Sequence, residues 1–150
     1  MAEDVEVSRV VNAPVDRVWA VVGDPTRIGE ISPECYRTKW LGRSSGPAPG
    51  AQFLGFNKKG LLRWPTRGTI AAYEPEREIS WDVDLLGQSV ARWSFRLVPE
   101  GGGTRVVQTW QDKRSPLATI VGRARTNDSP THNRAGMEQT LDRLRRRVES

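Results

Sequence analysis

With 150 residues, 37% of them hydrophobic, the chain is long enough for one core and is expected to form one domain over 1–150; no run approaches the roughly 18 apolar residues of a membrane span. Its one cysteine, Cys35, excludes an internal disulfide, and the acidic start Met1-Ala2-Glu3-Asp4 lacks the basic and apolar blocks of a signal peptide, so a reducing, cytoplasmic location is expected. The net charge of +5 sits in residues 113–150, with nine basic and four acidic side chains, while residues 1–112 carry 14 of each and cancel.

Residues 3–11 alternate, with Val5, Val7 and Arg9 on one side and Glu6 and Ser8 on the other, the period of a strand. Asn12-Ala13-Pro14 breaks the pattern and places a proline as first helical residue. Val15, Val18, Trp19 and Val22 follow at helical spacing up to Gly23, expected to close the helix in a left-handed conformation. Asp24-Pro25 repeats the start signal for a short second helix near 25–30.

From Pro33 to Asp112 the pattern is strand throughout. Tyr36-Thr38-Trp40 alternates with Arg37 and Lys39, and Phe53-Gly55-Asn57 with Gln52, Leu54 and Phe56. A long strand runs from Leu61 to Tyr73, with Pro65 marking an edge or bulge. Ile79-Trp81-Val83 and Ala91-Trp93-Phe95-Leu97 alternate in the same way, and Thr104 to Asp112 is the last strand. Its inner face is open between Val106-Gln108-Trp110 and Val107-Thr109-Gln111. Short turns join these six strands into an antiparallel meander.

The tail turns helical. Ser115-Pro116 starts a short helix carrying Leu117, Ile120 and Val121, and Ser129-Pro130 a longer one reaching about Val148. The long helix has an apolar stripe of Met137, Leu141, Leu144 and Val148, which Asn133 joins at i, i+4 to Met137. Arg143, Arg145, Arg146 and Arg147 mostly occupy the other face; with Arg123 and Arg125 they read as a solvated helix face or as a footprint for phosphate or anionic membrane.

This order of elements resembles the START-like (SRPBCC) superfamily. Val10-Val11-Asn12-Ala13-Pro14-Val15-Asp16-Arg17-Val18-Trp19 looks like its opening strand and first helix, and Asp24-Pro25 like the start of the second. Gly50-Ala51-Gln52-Phe53-Leu54-Gly55-Phe56-Asn57, followed by Trp64, is similar to bacterial members labelled polyketide cyclase or dehydrase. Gly102-Gly103-Thr104-Arg105-Val106 resembles the final hairpin, and Gly136 to Leu144 the C-terminal helix. The resemblance implies an α+β helix-grip fold: a curved antiparallel sheet of about seven strands wrapped around a long C-terminal helix, with two short helices after strand 1. It also favours Gln108 and Trp110 on the inner face.

A concave, mostly apolar gap between sheet and helix suits a small molecule. The resemblance implies a hydrophobic ligand of lipid, polyketide or isoprenoid type, with Trp40, Phe53, Asn57, Trp64, Trp81, Trp93, Gln108, Trp110, Asn133, Met137 and Leu141 as candidate ligand-binding residues. The alternative is a cofactor-independent polyketide aromatase/cyclase whose donors come from Asn57, Arg63, Arg67, Gln108 and the indole N–H groups. A third reading has the basic C-terminal helix bind anionic membrane or nucleic acid, although the interleaved aromatic and basic residues of single-strand binders are missing. A chaperone-activator role, also known in the superfamily, has no residue here that singles it out.

His132 and Cys35 are the only residues of their types, so no metal site is expected, and no cofactor. No Gly-x-Ser-x-Gly elbow and no phosphate-binding glycine loop occurs. His132 is expected as an exposed histidine in a polar helix start, with acid–base work at one end of the pocket as the other reading. An exposed strand edge is compatible with a homodimer.

Overall fold

The computed structural model describes residues 4–114 and 130–149. The expected helix at Ser115-Pro116 with Leu117, Ile120 and Val121, the start residue Ser129, and Arg123 and Arg125 lie outside the described residues. β1 (Asp4–Val11) leads into α1 (Val15–Val22) and a 3-10 helix (Pro25–Glu30). Then come β2 (Cys35–Trp40), β3 (Gln52–Lys59), β4 (Leu62–Glu74), β5 (Glu78–Leu85), β6 (Gln88–Glu100) and β7 (Gly103–Asp112). The helix α2 (Pro130–Glu149) follows. The strands form one seven-stranded sheet in the order β1-β7-β6-β5-β4-β3-β2, every neighbouring pair antiparallel. The meander closes with β1 beside β7, and α2 lies across the inner face: the helix-grip arrangement.

The register decides the face left open in β7. Val7 pairs with Gln108 and Val5 with Trp110, and across the other edge Phe95 and Trp93 pair with the same two residues. Because directly opposed residues share a face, Val106, Gln108 and Trp110 point inward with the buried valines of β1.

The C-terminal half of α2 is tied down and its N-terminal half stands off. Leu141, Leu144 and Val148 are buried against the sheet. Arg17 donates from Nη1 to the Val148 carbonyl at 3.0 Å, satisfying one of the unpaired carbonyls of a helix end, and the Asn12 N–H donates to Glu149 Oε2 at 2.8 Å. Arg9, on the inward register of β1, reaches Asp142 at 3.7 Å and Glu138 at 4.0 Å. Beyond that anchor the inner face changes size. Phe95, Ile79, Ile70, Val106 and Trp110 are large and fully buried, whereas the inward positions of β2 to β4 include Thr38, Gly55, Thr66 and Gly68.

Gly68 has a further role. It sits opposite Phe53, and the Phe53 ring occupies the space that a Cβ at 68 would fill, with Cε2 only 2.6 Å from that point. The ring thereby crosses β4 to meet Trp81 on β5 edge-on at 5.9 Å. A row of rings results, Trp40 to Phe53 at 6.0 Å and Trp81 to Phe95 at 6.0 Å, in the tilted and T-shaped geometries that aromatic quadrupoles favour.

Two local expectations are corrected, and a third, the edge or bulge at Pro65, holds locally. Gly23 is not left-handed: it sits at φ −80°, ψ 0°, and glycine is required there because the Trp19 indole lies where its Cβ would be. Tyr36 is exposed, since a bulge between Cys35 and Arg37 turns it outward and leaves Cys35, Thr38 and Trp40 on the inner side. Pro65 lies in an internal strand, but β5 pairs with β4 only from Arg67 onward, so its missing N–H disrupts no ladder on that side.

Two glycine substitutions should diverge in urea denaturation. Gly68→Ala forces the Phe53 ring away and is expected to destabilise by about 1–3 kcal/mol. Gly136→Ala in α2 meets only Pro33 Cγ at 3.8 Å and should stabilise by about 0.5–1 kcal/mol through helix propensity. A neutral Gly68→Ala would show that the ring does not depend on that gap.

Candidate functional site

Between the small-residue half of the sheet and the N-terminal half of α2 lies a cavity of about 1090 Å³. Its floor is Phe53, Gly55, Asn57, Thr66, Gly68, Trp81, Trp93 and Gln108; its roof is Asn133, Gly136, Met137 and Thr140. It opens at the end where β2 begins, β3 and β5 finish and α2 starts. Glu34, Lys58, Arg63, Leu86 and His132 stand at that rim.

Nine of the eleven candidates named from the sequence line this cavity: Phe53, Asn57, Trp64, Trp81, Trp93, Gln108, Trp110, Asn133 and Met137. Trp40 and Leu141 do not. Trp40 packs edge-on behind Phe53, and Leu141 is fully buried in the core beneath the helix. Of the expected donors, Asn57 is engaged in the sheet, its Nδ2 donating to Thr66 Oγ1 at 3.1 Å and the Trp64 carbonyl at 3.3 Å. Arg67 belongs to the outer face, paired with Asp84 at 3.1 Å. Arg63 stays at the rim, donating to the Gly60 and Leu62 carbonyls.

Gln108 differs from these. It is buried beneath the cavity, and its Oε1 has no hydrogen-bond partner among the described residues. A buried acceptor left unpaired is unfavourable by about 1–3 kcal/mol.

His132 is not simply exposed: its Nε2 stands 3.6 Å from Glu34 Oε1 across the rim, both side chains partly buried. Sequence reading missed Asp112 and Arg114. Arg114 grips Asp112 through Nε and Nη2, each at 2.9 Å, with both side chains 4% exposed, and Arg114 lines the cavity. The available signal was an acid and an arginine two apart at a strand end, where the Asp112 carboxylate also accepts the Arg114 N–H at 3.0 Å. Cys35, another lining residue, has its thiol pushed up from an ordinary 9.0 to about 11 by burial, against hydrogen bonds from the Arg37 and Phe56 backbone that favour the thiolate.

The basic face of α2 lies away from this mouth. Arg147 meets Glu30 at 2.6 Å, Arg27 shares the same carboxylate at 2.9 Å, and Arg143 donates to the Ser32 carbonyl. These bonds hold the 3-10 helix against α2. Among the described residues, no three His, Cys, Asp or Glu side chains are grouped to hold a metal.

A family model described as polyketide cyclase / dehydrase and lipid transport matches residues 2–149. A search of curated proteins finds no match. Among solved structures, the chain is similar to a polyketide-cyclase-like protein of Corynebacterium glutamicum, at 28% identity and TM-score 0.64, covering 99% of this chain and 93% of that one. The ginseng major latex-like protein 151 of Panax ginseng superposes with TM-score 0.76 at 11% identity, covering 98% and 97% of the two chains. The di-domain ARO/CYC protein StfQ of the steffimycin biosynthetic pathway gives TM-score 0.75 at 17% identity, over 99% of this chain and 51% of that one. The last two likenesses show the fold alone.

Two measurements check this geometry. Gln108→Leu should raise the stability of the ligand-free protein by about 1 kcal/mol or more in urea denaturation, since it removes the unpaired acceptor; a loss would mean that the amide is satisfied. Alkylation of Cys35 by iodoacetamide should follow a pKa of about 11 rather than 9.0. A raised pKa favours the protonated folded state, so this contribution to stability is complete below pH 9.0 and is lost as the pH rises through about 11.

Proposed function

The chain belongs to the polyketide cyclase / dehydrase and lipid transport family, and from that premise we propose that it binds a hydrophobic small molecule of lipid, polyketide or isoprenoid type in the cavity between sheet and α2. The observation that carries the reading is a cavity of about 1090 Å³ floored by aromatic rings, with the Gln108 amide at its base. Ligand pockets of this kind are mostly apolar, span roughly 300–1,000 Å³ and use a few polar groups for orientation. The rings supply area for an apolar body, and the Gln108 amide supplies a polar group at the base of the cavity.

A second reading, cofactor-independent aromatase/cyclase or dehydratase chemistry, draws support from the His132–Glu34 pair at the rim. A histidine beside a carboxylate has the donor and acceptor groups that proton transfer requires. It predicts turnover of a poly-β-ketone substrate that His132→Ala abolishes while binding persists.

No helix among the described residues is long and apolar enough to cross a membrane. A strand edge is free for a homodimer at β2, where the 3-10 helix covers part of it.

Tryptophan fluorescence tests the binding reading, because Trp64, Trp81, Trp93 and Trp110 line the cavity. Titration with fatty acids, sterols and aromatic polyketides, checked by calorimetry, should give saturable one-to-one binding by at least one class. Gly55→Leu, which fills the floor, should weaken it about tenfold or more, equivalent to roughly 1.4 kcal/mol. Gln108→Leu should weaken a ligand with a polar head group several-fold and leave an all-hydrocarbon ligand nearly unchanged. Silence across the panel would remove the proposal.

A further inference from the structure

The cavity mouth is flanked by two hairpin tips whose residues do not suit exposure to water. β3 and β5 run toward the same end of the sheet, so the β3–β4 and β5–β6 turns both stand at that end, the β3–β4 hairpin reaching further because β4 continues to Leu62 beyond its last pairing with β5 at Arg67. At the first tip Leu61 is 100% exposed, followed by the exposed Leu62; at the second Leu86 is 95% exposed. Leu86 also has φ 53°, and Gly87 after it φ 81°. A two-residue turn with both central φ values positive favours Asn-Gly, and a bulky residue at positive φ is an outlier. Leucine at this position is therefore disfavoured by both solvation and backbone, and at 95% exposure it makes almost no contact among the described residues that offsets either.

Charge completes the pattern. Residues 58–63 and 85–88 contain three cations, Lys58, Lys59 and Arg63, and no acid. Arg63 Nη1 lies on the Gly60 and Leu62 carbonyls at 2.6 and 3.0 Å, holding its guanidinium beside the leucines. Lys58 sits over the exposed Tyr36 ring, 5.6 Å from its centre. The carboxylate on this rim, Glu34, lies across the mouth beside His132.

We propose that the two tips dock on the surface of an anionic lipid bilayer: Leu61 and Leu86 enter the acyl layer, Lys58, Lys59 and Arg63 meet the headgroup phosphates, and the cavity opens toward the membrane. Apolar anchors beside cations are what interfacial binding uses. A protein partner fits less well, because a stable interface needs roughly 800 Å² per side and two narrow tips astride an opening offer no such continuous area. A fluid bilayer accepts separate points of insertion. Docking does not depend on what the cavity holds; only the passage of a ligand between bilayer and cavity rests on the reading above.

Vesicle co-sedimentation of the full chain tests this, with phosphatidylcholine vesicles against vesicles containing about 30% phosphatidylglycerol. Binding is expected to the anionic vesicles, to weaken in 0.5 M salt, and to fall about tenfold or more in Leu61→Ser/Leu86→Ser, with circular dichroism and melting temperature unchanged. Arg63→Glu should lower it to a similar extent, whereas Arg146→Glu on α2 should leave it nearly intact. Absence of binding, binding lost with Arg146 but not with the leucines, or a concentration-dependent dimer that Leu61→Ser/Leu86→Ser abolishes would each overturn the proposal. Ligand titration of Leu61→Ser by fluorescence separates the two readings, since Leu61 is not among the residues lining the cavity and cavity binding should survive in it.

Discussion

A straight helix can lie flush on a sheet only where the facing side chains fill the gap between them, and here they fill it over half its length. Val106 and the buried valines of β1 join Leu141, Leu144 and Val148 in one core cluster. On β3 and β4 the inward positions pass through Gly55 and Gly68, and no side chain reaches the helix from there. The 20-residue α2 is then a rigid roof clamped at one end, and the unfilled volume becomes the cavity. Arg17, Asn12 and Arg9 hold the clamp by bonding the last turns of the helix to the β1–α1 corner.

The same arrangement sets the chemistry of the space. Gly68 admits the Phe53 ring, which joins the ring row and makes the floor apolar. In such surroundings polar groups interact strongly when paired and are unfavourable when not. Asp112 and Arg114 meet this by gripping each other, and Cys35 by keeping its proton. Gln108 alone among the buried side chains described retains an unpaired atom, so its amide is the least satisfied polar group of the floor. At the open end the order is reversed: leucines face water and cations surround them.

Much of this was legible in the order of residues because period and punctuation are local. Strict alternation in Ile79-Trp81-Val83 and Ala91-Trp93-Phe95 announced half-buried strands, and the four-three-four spacing from Met137 to Val148 announced the helix face that is buried. Asn133 followed from the same spacing. The failures were local as well. A single bulge at Cys35/Arg37 reversed Tyr36, and Gly23 answered to the bulk of Trp19 rather than to its own backbone. Arg67 looked like a donor for the cavity but takes the opposite parity from Thr66 and Gly68. Trp40 and Leu141 were read with the lining because their inward face was clear, whereas depth behind a ring or beneath a helix is not a property of parity.

The sequence by itself determined the strands, the two ends of the chain's helical stripe and a family resemblance that spans almost its whole length, because hydrophobic period, proline and glycine act over a few neighbouring residues. It did not determine where the cavity lies or which of its polar atoms is unsatisfied. Those depend on register between strands far apart in the chain: Gln108 faces inward through its pairing with Val7 and Phe95, Phe53 reaches Trp81 only across Gly68, and Leu61 and Leu86 stand at one end of the sheet only because β3 and β5 run the same way. Side-chain size, summed across seven strands and one helix, leaves a volume empty, and a volume is a property that only the folded chain possesses.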